Sequence, residues 1–375
     1  MSILCDLVLL SWNHLEETKP CLESLFEHTD VPCRLFIVDN GSEPHVRQFL
    51  QSVRPRGEIR EVVLLQNEAN EGFPKGMNRG LCASSAPYAC LLNNDLIFTP
   101  GWLSRMIDFV QAHPEIGLAN PTSSNFGNYP PHGVSLNDYA VQLAAKLDVY
   151  VEVGVCIGFC LLITRQVMQR IGVLSEEVER MFFEDEDYSM RAQAAGFQCV
   201  VVESAYVFHG EHKSVRDVPE REALFQRNQR WCHGKWGPWR RIALVRMRPF
   251  EPGSDELRRF LEQALAWMRR RSFLYFYGPI PAGISAPDLF RSVGLVPHAN
   301  MMWHDLSGPS APWIATWKIL KRQKKRFDTI VVPTPSWTRW MRWLQPLHRA
   351  TVVNMGDTKQ VLKIGLCPLG GADSP

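Results

Sequence analysis

Apolar and polar positions alternate along this chain in two rhythms. LCDLVLLSW (4–12), CRLFIVDNGS (33–42), VVLLQN (62–67) and YACLLNND (88–95) are short apolar runs that end in turn residues, which predicts buried strands. Between the first two, HLEETKPCLESLFEHT (14–29) puts Leu15, Cys21, Leu22, Leu25 and Phe26 on one helical face. VRQFLQSV (46–53) and PKGMNRGLCAS (74–84) predict two further helices. This strand–helix rhythm calls for a mostly parallel α/β sheet, in which ligands sit at the carboxyl ends of the strands. The polar residues fall at those ends: Ser11 and Asn13, Asp39 and Asn40, Asn67, Asn70 and Gly72, then Asn93, Asn94 and Asp95. Each group alone is an ordinary turn. Together they predict one rim around a cleft.

Residues 118–150 read as irregular and rich in Pro, Asn and Gly, ending in a helix-like DYAVQLAAKL. VGVCIGFCLLITR (153–165) then reads as a strand, and QCVVVESAYVFHG (198–210) as another that ends at His209. Between these two lies MFFEDEDYSMRAQAAGF (181–197), with Glu184, Asp185, Glu186 and Asp187 in a row. Met190, Ala194 and Phe197 follow at core spacing, so the four carboxylates occupy a first helical turn, where the dipole favours anions. A solvated helix start is the plain reading. The polar rim upstream favours a working site. Asp187 stands four residues before Arg191 and can pair with it on the helix.

Beyond about residue 240 a second alternating series begins. RIALVRM, SFLYFYG, NMMWHDL, DTIVVPT and ATVVNMG predict strands. SDELRRFLEQALAWMRRR, APDLFRSVG, PWIATWKILKRQKK and SWTRWMRWLQPL predict helices. The expectation is a first domain over 1–235 and a smaller Rossmann-like α/β domain over 240–370 that carries no Gly-rich phosphate fingerprint.

The 375 residues, 45% hydrophobic and 21% charged, are those of an ordinary globular protein, and a net charge of +2 gives no general signal for nucleic acid. Basic residues crowd locally in KWGPWRRIALVRMRP (235–249), at Arg269–Arg271 and in KRQKKR (321–326). Mixed with Trp and Phe, these clusters read either as a solvated face or as a surface for peripheral association with an anionic membrane. Ten cysteines without CxxC pairs, among them Cys90, Cys156 and Cys160 in apolar runs, predict small buried hydrophobes and a reducing cytoplasm. The N-terminus reads as a first strand and not as a signal peptide, and VGVCIGFCLLI (153–163) is too short to span a bilayer.

Six segments in order resemble the family 2 glycosyltransferases of GT-A fold, most closely the rhamnosyltransferase-like branch, over residues 5–215. VLLSWNHLEETKPCLESL resembles the opening strand and helix, and FIVDNGS the second-strand signature. NEANEGFPKGMNRGL resembles the NxGFxxGxNxG segment, through Asn70, Gly72, Phe73, Gly76, Asn78 and Gly80. LLNNDLIFTPGWL is similar to the DxD metal segment, with Asn93 and Asn94 ahead of the one carboxylate, Asp95. VGVCIGFCLLITRQVMQRIG with FFEDEDYSMRAQAAGF resembles the acceptor strand and catalytic ED helix. VFHGEHKS resembles the terminal His segment, with Ser214 in the family's place.

The resemblance implies an inverting transferase that moves a sugar from a nucleotide-diphosphate donor to a glycan or lipid-linked hydroxyl, in surface polysaccharide synthesis. It implies that Asp185 is the base, that Glu184 orients it or binds the acceptor, and that Ser11, Asn13, Asp39 (reading the nucleotide base), Asn70, Gly72, Asn78, Asn93 and Asn94 hold the donor. Asp95 and His209 would take Mn²⁺ or Mg²⁺. Two other readings stay open. One is a non-catalytic nucleotide-sugar-binding scaffold, suggested by the incomplete DxD. The other is a bifunctional enzyme using His298, His304, Asp305 and Asp357, which are otherwise turn and surface positions.

Overall fold

The computed structural model describes residues 2–210 and 220–355. Ser214 and Asp357 lie outside the described residues. The chain divides into two compact units, Met1–Val151 with Val155–Gly234, and Glu152–Gly154 with Lys235–Pro375.

In the first unit the expected rhythm is observed as β1 (Cys5–Ser11), α1 (Leu15–His28), β2 (Cys33–Asp39), α2 (Pro44–Ser52), β3 (Ile59–Gln66), α3 (Phe73–Ala83) and β4 (Tyr88–Asn93). Then come β5 (Leu96–Phe98), α4 (Trp102–Ala112), β6 (Ile116–Thr122), α5 (Leu136–Leu143), β7 (Tyr150–Glu152) and β8 (Cys160–Thr164). α6 (Arg165–Ile171), α7 (Glu184–Ala194), β9 (Gln198–His209) and α8 (Arg221–Trp236) complete it. The main path of the sheet runs β3-β2-β1-β4-β8-β6-β9-β5, with β7 paired to β9. β3, β2, β1 and β4 are parallel neighbours, as are β6 and β9, whereas β8 and β5 run antiparallel to theirs. The sheet is therefore mixed and mostly parallel.

Two sequence expectations are corrected. The segment expected to be irregular from residue 118 contains most of β6, a fully buried strand. Its Gly117, Asn120 and Pro121 hide a strand pattern. Pro121 is tolerated because the register with β9 slips between Pro121 and Thr122, where a ladder donor can be spared. The Asn120 side chain is also satisfied locally, donating to the carbonyls of Ile157 and Cys160 and accepting from the Ile157 N–H. The second correction is that VGVCIGFCLLITR is a strand only over Cys160–Thr164. Its first half is held out of the ladder, with the Cys156 N–H given to Ser189 Oγ and Ile157 clamped by Asn120.

Packing fixes where the strand ends lie. Gly76 and Gly80 face β1 across α3, and a Cβ there would fall 2.5 Å from Leu10 and 2.3 Å from Val8. Their role is close helix–sheet contact. Under the other face, α1 and α4 bury Leu22, Leu25, Trp102 and Met106 against β1 and its neighbours. Asp6, at the opposite end of β1 from the polar rim, is buried but fully engaged with Arg34 and the N–H groups of Ser85 and Ala86.

The second unit is a five-stranded parallel sheet in the order β12-β11-β10-β13-β14. Its strands are β10 (Arg240–Val245), β11 (Ser272–Gly278), β12 (Met301–Asp305), β13 (Thr329–Val332) and β14 (Thr351–Asn354). Its helices are α9 (Asp255–Met268), α10 (Ala286–Arg291), α11 (Ala311–Lys321), α12 (Pro335–Trp343) and α13 (Gln345–His348). Every strand and helix expected in this half is present. The local signals are strong here: Ser254, Ser285 and Thr334 cap the helices that follow them. Among the described residues, three of the later carboxylate and histidine candidates have separate local partners. His298 is buried and accepts from the Asn300 N–H, His304 stacks on Tyr277, and Asp305 accepts from the Ile280 N–H in a turn.

Candidate active site

The polar rim opens on a cavity of about 480 Å³ in the first unit. Of the residues predicted from sequence, Asn70, Gly72, Asn93, Asn94, Glu184, Asp185 and His209 line it. Ser11, Asn13, Asp39, Asn78 and Asp95 are not in its lining. Each of these has a visible local task. Ser11 faces Thr18 and Asn13 accepts from the Glu43 N–H. The Asp39 carboxylate accepts from the Ser42 N–H and Gln66 and pairs with Arg47 at 3.3 Å. Asn78 ties α3 to the Leu174 backbone and to Glu176.

One wall of the cavity is an amide network. Asn40 donates to Asn70 Oδ1 and to the Gly72 carbonyl, and accepts from Asn67 and from the Glu71 N–H. Asn70 in turn accepts from the Gly72 N–H. Gly72 sits at φ +90°, and a Cβ there would fall 2.5 Å from Arg180 Cα. This close approach brings segment 180–183 over the turn, with the Phe73 N–H donating to the Arg180 carbonyl at 2.5 Å.

That segment is the part of the site sequence reasoning missed. Arg180, Phe182 and Phe183 all have positive φ, at 57°, 74° and 73°. Left-handed backbone at non-glycine residues costs roughly 1 kcal/mol or more apiece. The conformation is held from α8, where buried Asn228 donates to the carbonyls of Glu179 and Met181. Phe182, Phe183 and Phe225 pack together at ring separations of 5.1–5.5 Å and form an aromatic wall beside the carboxylates. Trp12, Phe73, Ile157, Gly158 and Phe159 complete the apolar lining. The only sequence signal was the pair of phenylalanines ahead of the acidic run.

The run itself divides by helical geometry. Asp187 pairs with Arg191 at 2.8 Å, a structural tie. Asp185 accepts from the Gly158 N–H at 3.2 Å and from the Glu186 N–H at 2.8 Å. Burial pushes its carboxyl up to about 6 against the pull of those two donors. Glu184 is 8% exposed and its Oε2 has no hydrogen-bond partner. Burial, then the neighbouring Asp185 charge, pushes it up to about 8. At neutral pH the pair therefore favours one protonated and one ionised carboxyl.

Asp95 and His209, 114 residues apart, are brought together by the antiparallel pairing of β5 with β9, and Asp95 Oδ1 lies 3.0 Å from His209 Nε2. The imidazole is stacked on Phe159 with centroids 5.2 Å apart. Two donors at right angles around a cation about 2.1 Å from each are about 3 Å apart, so this pair fits two adjacent positions of a Mg²⁺- or Mn²⁺-like ion. Among the described residues no group of three or more His, Cys, Asp or Glu is arranged for a metal. The remaining positions of such an ion would fall to ligand oxygens and water.

The first unit thus places a ligand cleft at parallel strand ends, with a cation-compatible Asp–His pair on one side and the Glu184–Asp185 acid pair on the other. Residues 6–172 match the family described as Glycosyl transferase family 2. The rhamnosyltransferase-like branch is not singled out by the match.

The chain is 25% identical over 253 residues to an uncharacterised Sinorhizobium fredii protein, y4gI, covering 62% of this chain and 27% of that one. It is 22% identical over 168 residues to the glucosyl-dolichyl phosphate glucuronosyltransferase of Haloferax volcanii, covering 38% of this chain and 52% of that protein. The chain thus spans about a quarter and about half the length of these curated relatives. Among solved structures, the mannosyltransferase PcManGT of Pyrobaculum calidifontis, in complex with GDP-Man and Mn²⁺, is similar with a TM-score of 0.43 at 13% identity, over 61% of this chain and 69% of that one.

Proposed function

We propose that this protein is an inverting glycosyltransferase that moves a sugar from a nucleotide-diphosphate sugar to a hydroxyl of a glycan or lipid-linked acceptor. The observation that carries the reading is the pair of buried Glu184 and half-buried Asp185 opening into the same cavity as His209 and the Asn93–Asn94 strand end. Asp185 takes the acceptor proton as the acceptor oxygen attacks the anomeric carbon from the face opposite the departing diphosphate. One carbon–oxygen bond forms as another breaks, and a single displacement inverts the centre. Glu184, protonated at neutral pH, donates a hydrogen bond to an acceptor oxygen and keeps a second negative charge away from the base. The Asn40–Asn70–Gly72 network shapes the donor wall, and Asp39 orders the β2 turn against which the nucleoside would lie.

Asp95 and His209 would hold Mn²⁺ or Mg²⁺, which when bound neutralises charge building on the diphosphate. The aromatic wall supports an acceptor with an apolar sugar face, since rings stack on C–H-rich surfaces. The free cysteines, most of them buried, support work in a reducing cytoplasm, and surface polysaccharide assembly is the biosynthetic setting this reading favours.

The test is a donor screen with the full chain, using dTDP-rhamnose and UDP- and GDP-sugars with and without Mn²⁺. It reads calorimetric binding and release of nucleoside diphosphate. Donor turnover that Asp185→Asn abolishes supports transfer. Donor binding with no turnover in the wild type favours instead the scaffold reading, which the Asn93–Asn94 pair in place of a carboxylate motivates.

A further inference from the structure

The second unit carries an exposed aromatic and basic face, none of whose residues lines the cavity of the first unit. Trp313 and Trp317 lie one turn apart on α11 and are 68% and 58% exposed; Trp343 on α12 is 76% exposed. Trp313 meets Trp340 of α12 edge to face at 5.1 Å, so the two helices present one surface. Leu347, one turn beyond Trp343 on α13, extends it. Taking about 250 Å² for a fully exposed indole side chain, the three tryptophans alone show roughly 500 Å² of apolar area, at the upper limit for an unpartnered surface.

The charge around this patch has one sign. Between Asp305 and Asp328 the chain has six basic residues, Lys318, Lys321, Arg322, Lys324, Lys325 and Arg326, and no acid. From 329 to 355 it adds Arg339, Arg342 and Arg349, again with no acid. Lys321 lies over the Trp317 ring at 4.6 Å, so cation and indole are already side by side. Indoles prefer the depth of lipid headgroups, and clustered Lys and Arg are drawn to anionic leaflets. No helix of the described residues is long and apolar enough to cross a membrane. The features therefore suit lying on a bilayer.

We propose that the α11–α12 face docks the protein on an anionic membrane surface, with Trp313, Trp317 and Trp343 at headgroup depth and the flanking lysines and arginines against the lipid phosphates. A nucleic acid would also meet the charge, but Trp343 and Leu347 offer an apolar edge that a phosphate backbone would leave in water. The proposal stands apart from the transferase reading.

The experiment is co-sedimentation of the full chain with vesicles of phosphatidylcholine alone or mixed with phosphatidylglycerol. The wild type should bind the anionic vesicles about tenfold or more tightly than the neutral ones, since each basic residue at the surface adds roughly a fivefold factor. Raised salt should weaken that binding. Trp313→Ser with Trp343→Ser, and separately Lys321→Glu with Lys325→Glu, should each lower it about tenfold or more with an unchanged circular dichroism spectrum, because all four side chains are exposed. The proposal is overturned if the wild type ignores anionic vesicles or if both variants bind as the wild type does. It is equally overturned by a lipid-free dimer that the tryptophan substitutions dissolve, which would make the face a self-association surface, or by a single-stranded RNA that binds this face and displaces the vesicles.

Discussion

Replacing Glu184 with Gln should stabilise the protein, and the gain should depend on pH. The side chain is buried, one carboxyl oxygen has no partner, and its pKa is pushed from 4.5 to about 8. The folded state therefore holds a proton that the unfolded state releases, and wild-type stability falls as pH rises from about 4.5 towards 8. Gln has the shape of the protonated acid and does not titrate. Variant and wild type should be closest in stability near pH 5 and diverge by up to about 1.4 kcal/mol per pH unit, to a ceiling of about 5 kcal/mol. Above pH 8 both forms of Glu184 are ionised and the difference should level off. Urea unfolding followed by circular dichroism from pH 5 to 9 reads this directly, because the second unit is identical in both proteins and cancels in the difference. A difference that stays flat within a few tenths of a kcal/mol across pH 5–8 would refute the argument, since Glu184 would then ionise like a solvated carboxylate.

Asp185→Asn should leave donor affinity within about twofold and lower turnover by about two to four orders of magnitude, the span of a lost general base. In the wild type, kcat/KM should fall as pH drops through about 6, where Asp185 takes up its proton; a rate constant down to pH 5 would assign the base elsewhere. Asp95→Ala should weaken donor binding at least about tenfold with Mn²⁺ present and little with EDTA, and equal affinities in all four measurements would remove it from the cation site. Asn228→Ala should lower kcat while sparing donor affinity, because it frees the Glu179 and Met181 carbonyls that fix the strained segment ahead of the acid pair. An unchanged kcat would show that this segment holds its shape without α8.

How far the sequence reached depends on whether a signal was local. The second unit could be read strand by strand because its caps, apolar runs and helical faces all agree within a few residues, as with Ser254 ahead of Leu257, Leu261 and Leu265. β6 could not, because Asn120 and Pro121 are made tolerable by Ile157, Cys160 and a register slip with β9, none of which is near them in sequence. In the site, Asn70, Gly72, Asn93 and Asn94 were legible as turn residues after strands. Asn78 was not, since its amide is spent on Leu174 and Glu176 nearly a hundred residues away. Positive φ at Arg180, Phe182 and Phe183 leaves no composition signature, because a turn that would normally select glycine is here enforced by Asn228.

The same distinction explains how Glu184, Asp185 and Asp187, in one acidic run, come to differ. All start from the favourable field of the α7 N-terminus, and what separates them is the partners each finds. Asp187 turns to Arg191 and becomes part of the scaffold. Asp185 and Glu184 face the cavity together, and burial raises both. Asp185 receives two N–H groups, that of its neighbour Glu186 and that of Gly158, which lies ahead of β8 and outside its ladder. Those donors favour the ionised form and keep Asp185 near 6, where a carboxylate is mostly ionised at neutral pH yet still basic enough to accept a proton. Glu184, whose Oε2 has no such donor, is left near 8 and protonated. The break in the strand, which the sequence hid, thus separates the two acids in strength and supports the proposal of Asp185 as the base.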